Sequence, residues 1–123
     1  MEIDVNCNSF SEEQIHYISK AIDEDIVLSK ADKAILKVLI TLYENKEIKI
    51  LRLDLISVKI NVPINTVYSV LRSLKTKNYI DQFKKNIRIY SLKIENLNIL
   101  IKQYEKNKKI MEKLERTMEL NKN

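Results

Sequence analysis

The sequence predicts an α+β fold that is mainly α-helical, with one small β-hairpin and a long C-terminal helix. Apolar residues recur at helical spacing along most of the chain, and this pattern breaks at Asn61-Val62-Pro63 between two apolar segments. Polar and apolar residues alternate on both sides of Lys84-Lys85-Asn86, as in two strands joined by a turn. A seven-residue repeat after residue 93 predicts the C-terminal helix.

The composition fits one small domain of a cytoplasmic protein. The 123 residues carry a net charge of +5 and include no Gly and one Pro, so the turns depend on Asn, Asp, Ser or Lys. A single cysteine, Cys7, cannot form a disulfide within the chain, which predicts a reducing compartment. No stretch resembles a signal peptide, and the longest apolar run, Val38 to Leu42, is too short to span a bilayer. We expect no membrane partner.

The N-terminal part predicts an arm followed by a short helix. Residues 1–10 lack a helical period, which is typical of a loose arm or a short strand. Ser11 and Gln14 have the spacing of a capping box and predict a helix start. The apolar stripe of this helix is Ile15, Ile18 and Ile22.

The next segment predicts a stronger helix and a short strand. Ser29 and Asp32 form a second capping box, and Asn45 is a plausible stop for the helix that begins there. Its apolar stripe is Ile35, Leu36, Leu39, Leu42 and Tyr43. Alternation over Glu47 to Leu51 predicts a short strand that can pair with the hairpin.

The remaining elements are two helices, the hairpin and the C-terminal helix. They are expected at residues 53–60, 64–77, 79–83, 87–92 and 95–120. The helix over residues 64–77 has two faces. Its apolar face is Val67, Val70, Leu71 and Leu74, and its polar face is Asn65, Tyr68, Ser69, Arg72 and Thr76. An apolar back with a polar front suits a helix that lies in a DNA major groove.

The stretch from Ile60 to Ile80, INVPINTVYSVLRSLKTKNYI, resembles the recognition segment of winged-helix regulators of the MarR, ArsR and PadR kind. The resemblance covers about half the chain and implies a winged helix-turn-helix fold, to which the heptad pattern after residue 93 adds a long C-terminal dimerisation helix. Asn61 and Asn78 stand where these families commonly have Gly. Asn tolerates a positive φ better than most residues, so both positions are expected to adopt one.

The candidate DNA-binding residues lie on the polar helix face and on the hairpin. They are Asn65, Thr66, Tyr68, Ser69, Arg72, Lys75, Lys84, Lys85 and Arg88. Arg72 is the strongest of them because Arg can bond to guanine or phosphate through two N–H groups; its alternative role is a surface ion pair. Asn65 and Thr66 could instead cap the helix locally. The hairpin cations could instead guard a sheet edge.

The distribution of charge divides the chain into three predicted segments. Residues 1–28, an acidic arm and short helix, hold seven acidic residues and one Lys. Residues 29–92, the proposed DNA-binding domain, hold thirteen Lys or Arg and five acidic residues, and residues 93–123 hold eight and five. A basic centre predicts a nucleic-acid partner. Lys77, Lys59 and Arg52 would neutralise further phosphates if they lie on the same face as the candidate DNA-binding residues. The acidic arm could bind a further protein.

The C-terminal segment has a heptad pattern that predicts a homodimer. The seam residues are Leu97, Leu100, Tyr104, Asn107, Met111, Leu114 and Met118. In a coiled coil, Asn107 would pair across the seam and fix its register. The alternative is that the first half of this helix packs on the first helix of the same chain.

We therefore expect a dimeric, sequence-specific binder of double-stranded DNA, most simply a transcription regulator that represses a promoter. One alternative is a plasmid or phage partition adaptor that binds a centromere and recruits a filament-forming NTPase; another is a winged-helix scaffold that binds only protein. An enzyme is not expected, because His16, the single His, has no acid or nucleophile at useful spacing. No metal or cofactor is expected, since Cys7 and His16 provide too few ligands.

Overall fold

The computed structural model describes residues 1–83 and 88–120, and within them the chain forms five helices and one four-stranded antiparallel sheet. The elements in chain order are α1 Glu12–Glu24, α2 Lys30–Leu42, β1 Tyr43–Glu44, β2 Glu47–Lys49, α3 Leu53–Ile60, α4 Ile64–Thr76, β3 Ile80–Gln82, β4 Ile89–Leu92 and α5 Ile94–Leu120. The predicted class is confirmed: a mainly helical chain with a small antiparallel sheet and a long C-terminal helix.

The two predicted capping boxes are both formed. The Ser11 hydroxyl accepts the Gln14 N–H at 3.1 Å, and the Gln14 side chain accepts the Ser11 N–H at 2.9 Å. At the start of α2, the Ser29 hydroxyl accepts the Asp32 N–H at 3.0 Å, and the Asp32 carboxylate accepts the Ser29 N–H at 3.1 Å. Each box satisfies two backbone groups that a helix start would otherwise leave unpaired.

The end of α2 differs from the prediction. The helix ends at Leu42, and Tyr43 belongs to β1 rather than to the helical stripe. Asn45 and Lys46 have φ values of 53° and 67° and form a two-residue turn between β1 and β2. In β1 the Tyr43 ring is buried and stacks on Phe10 with ring centroids 4.8 Å apart.

The sheet has the strand order β1-β2-β4-β3, with every neighbouring pair antiparallel. Ile48 of β2 pairs with Tyr90 of β4, so the predicted strand joins the hairpin, but it ends at Lys49 and not at Leu51. Ile80 of β3 pairs with Leu92 of β4. The tip of the hairpin, with Lys84 and Lys85, lies outside the described residues.

One hydrophobic core connects all three predicted segments of the chain. Its fully buried residues include Ile3 from the arm, Leu39 and Leu74 from α2 and α4, and Leu97 from α5. Residues 1–10 form no strand, and the arm is not loose, because the Asn98 amide bonds both to the Ile3 N–H at 2.7 Å and to the Ile3 carbonyl at 2.8 Å.

The C-terminal helix α5 packs on the core with its first part only. Leu97 and Ile101 are fully buried, and Tyr104 contacts Tyr17 edge to face at 5.6 Å. Every side chain from Lys106 to Glu119 is exposed. At 27 residues, α5 is about 40 Å long, so its second part extends beyond the rest of the chain. Over the described parts of the chain, no helix combines the length and the apolar character that crossing a bilayer requires.

Candidate nucleic-acid interface

The connection between α3 and α4 is a tight turn held by backbone hydrogen bonds. Asn61 has a left-handed conformation with φ 54° and ψ 51°, as its position in the sequence predicted. The Val62 N–H donates to the Ser57 carbonyl at 3.0 Å, and the Ser57 hydroxyl donates to the Val62 carbonyl. Pro63 is the N-cap of α4, and its carbonyl accepts the N–H groups of Thr66 and Val67. The turn therefore fixes where α4 starts relative to α3.

The two predicted faces of α4 are confirmed. The back is fully buried against the core and faces α2; it consists of Val67, Val70, Leu71 and Leu74. The front faces solvent, with exposed Asn65, Tyr68, Ser69, Arg72 and Lys75 and a half-buried Thr66. Asn78 follows the helix with φ 63°, again as expected, and Tyr79 then leads into β3. The hydrophobic effect on the back holds the polar front outward.

The front of α4 is not used within the chain. No side-chain hydrogen bond caps the start of α4, and the described hydrogen bonds include none from the side chains of Asn65 and Thr66, so their alternative role as local caps is not observed. Within residues 1–83 and 88–120, no hydrogen bond or ion pair involves the side chain of Asn65, Ser69 or Arg72. Thr76 differs, because its hydroxyl donates to the Arg72 carbonyl at 3.0 Å. Polar groups of three kinds thus remain available to another molecule.

A cleft of about 290 Å³ separates the front of α4 from the hairpin. Arg72 and Lys75 line one side, and Arg88 lines the other. No acidic side chain occurs among the described residues that line the cleft. Its floor includes Tyr90, and burial raises the pKa of this phenol, so the floor is neutral. The cleft is therefore a cationic groove, in which Arg72 and Lys75 of α4 meet Arg88 of the hairpin.

The position of Arg88 depends on the end of β2. Its carbonyl accepts the Ile50 N–H at 2.7 Å, and its guanidinium donates to the Leu51 carbonyl at 3.2 Å. Gln82 of β3 lines the same cleft, although it is not among the residues predicted from the sequence to bind DNA. The alternation of the strand could have indicated this position, because Gln82 lies on the face of β3 opposite to that of Asp81.

Of the three further cations considered, only Arg52 joins this surface. Arg52 lines a shallow depression with Tyr68 and Arg88, next to the cleft. Its guanidinium lies 2.7 Å from the Asp54 carboxylate, which raises the pKa of Arg52. Lys77 instead forms an ion pair with Asp32 at 2.6 Å, and Lys59 faces a different groove beside α2.

The predicted dimer seam is divided between two environments. Leu97 and Leu100 are buried in the core of their own chain, and Tyr104 packs on Tyr17. The first half of α5 therefore packs on α1, which is the alternative to a continuous seam that we considered for the sequence. Asn107 is exposed, and its side-chain oxygen accepts a hydrogen bond from Gln103 at 3.3 Å. The exposed apolar members of the seam are Met111, Leu114 and Met118. Only these and Asn107 are accessible to a second chain.

Cys7 and His16 have ordinary surroundings. Burial raises the pKa of the Cys7 thiol, which disfavours the reactive thiolate. His16 lies on the exposed side of α1. Among the described residues, no three His, Cys, Asp or Glu side chains come together in a way that could hold a metal ion.

No protein-family model matches the chain, and no curated protein or solved structure is significantly similar to it.

Proposed function

We propose that the chain is a dimeric, sequence-specific binder of double-stranded DNA with a winged helix-turn-helix architecture. The observation that carries the proposal is the front of α4, an exposed row of amide, hydroxyl, phenol and guanidinium groups. This row continues into a cationic cleft whose described lining residues include no acidic side chain. Such a surface offers hydrogen-bond donors to base edges and positive charge to phosphates.

The order and pairing of the elements support this architecture. In it, α3 and α4 are the helix-turn-helix, β3 and β4 are the wing, and β2 is the strand that joins the wing to the helices. The short α3–α4 turn and the buried back of α4 present the start of α4 outward, as a recognition helix requires.

The proposed contacts divide into two kinds. Asn65, Ser69 and Arg72 read base edges in the major groove, and Tyr68 contacts a sugar or a thymine methyl group. Lys75, Arg88 and Arg52 neutralise phosphates, together with Lys84 and Lys85 at the wing tip. Phosphate contacts supply most of the affinity and make it depend on salt.

Dimerisation places two copies of α4 on one side of the duplex. The exposed second part of α5, with Met111, Leu114 and Met118, is the proposed contact between copies. Two recognition helices about 34 Å apart match successive major grooves, so the target is a near-palindrome or a repeat. By occupying such a site at a promoter, the protein represses transcription. A clustered array of sites would indicate the partition role instead.

Fluorescence anisotropy tests the proposal, with random duplex and DNA from the native locus over a salt series. We expect binding that weakens steeply with salt and prefers the native locus. Arg72→Ala should weaken binding to the preferred site by about tenfold or more. Lys75→Ala should weaken binding to both duplexes alike and reduce the salt slope by about 1.

The matched control is Lys102→Ala, which removes an exposed cation from α5, away from the cleft. It should bind like the wild type. If neither duplex is bound at low salt, or if Arg72→Ala and Lys102→Ala behave alike, the proposed interface is wrong.

A further inference from the structure

A second groove, of about 430 Å³, lies between α2, the end of β2 and α3. Its apolar lining includes Val38 and Leu42 of α2, Ile50 after β2, and Leu55 of α3. No residue of α4 lines it, so it is separate from the front of that helix.

The groove is bordered by apolar side chains that the core does not use. The helix α3 consists largely of apolar residues, yet Ile56 is its one buried side chain. Leu55 is 56% exposed, Val58 is 80% exposed and Leu51 is 69% exposed. Leu51 and Leu55 line the groove, whereas Val58 lies outside its lining, three residues after Leu55 on the same face of α3. Exposed large apolar side chains beside a groove are typical of a surface that binds another molecule.

The polar residues around the groove are mainly basic. Lys49, Arg52 and Lys59 line it, and no acidic side chain is among its lining residues in the described part of the chain. Arg52 is already paired with Asp54, and Lys49 lies 4.0 Å from Glu47. Lys59 has no ion pair within the described parts of the chain. An apolar floor with a cationic rim is complementary to an amphipathic helix whose polar face is acidic.

We propose that this groove binds an acidic amphipathic helix of a partner protein. The groove is not enclosed, which suits a helix better than a small ligand whose surface must be largely buried. The groove shares Arg52 with the proposed DNA-binding surface, but it includes neither the front of α4 nor the cleft, so peptide binding and DNA binding can be tested separately.

The described segments of a second copy fit the groove poorly. The exposed part of α5 has an apolar stripe, but between residues 106 and 119 it holds five basic and three acidic residues, so the cationic rim would repel it. The acidic helix α1 has its apolar residues Ile18 and Ile22 buried in its own core. An acidic helix from another protein is therefore the better match.

The test uses designed peptides and NMR of the full ¹⁵N-labelled chain. The probe is a helical peptide of about 14 residues, four turns, with a Leu stripe and Glu at the remaining positions. One comparison peptide carries Lys in place of Glu, and another keeps Glu but replaces the Leu stripe with Gln. With the acidic Leu-stripe peptide we expect saturable changes in the amide chemical shifts of Leu42, Ile50 and Leu55. The two comparison peptides should bind more weakly or not at all.

Variants locate the site. Leu55→Asp should weaken binding of the acidic peptide by at least about tenfold, equivalent to about 1.4 kcal/mol. Lys59→Glu should weaken the acidic peptide and improve binding of the Lys peptide. Ile99→Asp is the matched control: Ile99 is 65% exposed on α5, outside the groove, and the variant should bind like the wild type. Arg72→Ala should also leave peptide binding unchanged, which separates this test from that of DNA binding.

Several outcomes would overturn the proposal. They are absence of binding at millimolar peptide, equal binding of the acidic and Lys peptides, shifts that fall outside the groove, and no effect of Leu55→Asp. Shifts at the groove that depend on protein concentration alone would identify a second copy as the occupant instead.

Discussion

The ammonium group of Lys77, at the C-cap of α4, lies 2.6 Å from the Asp32 carboxylate in the first turn of α2. The Asp32 side chain is 3% exposed, whereas that of Lys77 is 33% exposed. The same carboxylate accepts the Ser29 N–H as part of the capping box. One buried acid therefore both begins α2 and ties it to the end of α4, the helix whose front we propose as the DNA-reading surface.

Replacing Asp32 by Ala should lower the free energy of unfolding by about 2 kcal/mol, because the variant loses a capping acceptor and the partner of Lys77. Urea denaturation followed by circular dichroism measures this. The matched control is Asp23→Ala, which removes an exposed ion pair with Lys37 at 2.7 Å and should cost less than about 1 kcal/mol. Equal losses in the two variants would show that the Asp32 pair is no more than a surface contact.

Stability should also depend on pH through Asp32. Burial by itself raises the pKa of Asp32, but hydrogen bonds from Lys77 and from Ser29 outweigh it and hold the pKa below the ordinary value of 3.8. The stabilisation is therefore present above about pH 4 and is lost as the pH falls through the lower pKa of the folded state. Urea midpoints from neutral pH down to about pH 2 should fall less in Asp32→Asn than in the wild type. If the urea midpoints of Asp32→Asn and of the wild type fall in parallel as the pH is lowered, Asp32 is not the source of the pH dependence.

The sequence predicted those features that depend on local patterns. Both capping boxes, the two faces of α4 and the positive φ of Asn61 and Asn78 follow from neighbouring residues, and all are observed. The ion pair of Lys77 could not be predicted, because its partner Asp32 is 45 positions away and is brought near by packing of α4 on α2.

The strand β1 was missed for a related reason. Tyr43 fits the helical stripe of α2, and the Asn45-Lys46 turn lacks the Gly that commonly marks a two-residue hairpin. What decides against the helix is the pocket that Phe10 and Cys7 form for the Tyr43 ring and hydroxyl, with a hydrogen bond of 2.7 Å to the Cys7 carbonyl. Such a pocket exists only in the folded chain.

The same turn provides a stabilising substitution. Lys46 has φ 67°, a conformation that costs an ordinary residue roughly 1–2 kcal/mol and Gly almost nothing. Lys46→Gly should therefore raise the free energy of unfolding by up to about 1 kcal/mol, after allowance for the larger freedom of Gly in the unfolded chain. Urea denaturation is the measurement. Lys46→Ala should leave stability near that of the wild type; if it matches the gain of the Gly variant, loss of charge is the cause.

The amide of Asn98 should be essential for docking the N-terminal arm. Its two hydrogen bonds to Ile3 are buried, and Asn98→Ala would leave the N–H and the carbonyl of Ile3 without partners, at a cost of about 2–3 kcal/mol. Amide hydrogen exchange should show lost protection at Ile3. Asn6→Ala, in an exposed part of the same arm, should change neither stability nor exchange at Ile3.

Deleting residues 108–123 should separate folding from dimerisation. The core receives its last fully buried side chain of α5 from Ile101, and the described side chains beyond Glu105 are exposed, so the shortened chain should fold. If the exposed part of α5 joins two copies, the shortened chain should sediment as a monomer and bind a palindromic site with the weak affinity of one half. Leu114→Lys should have the same effect without shortening the helix, whereas Glu112→Lys, two residues away and off the seam, should remain dimeric. A deletion variant that still sediments as a dimer would place the contact on the folded part of the chain, and the spacing of the two α4 helices would then be set by a different surface.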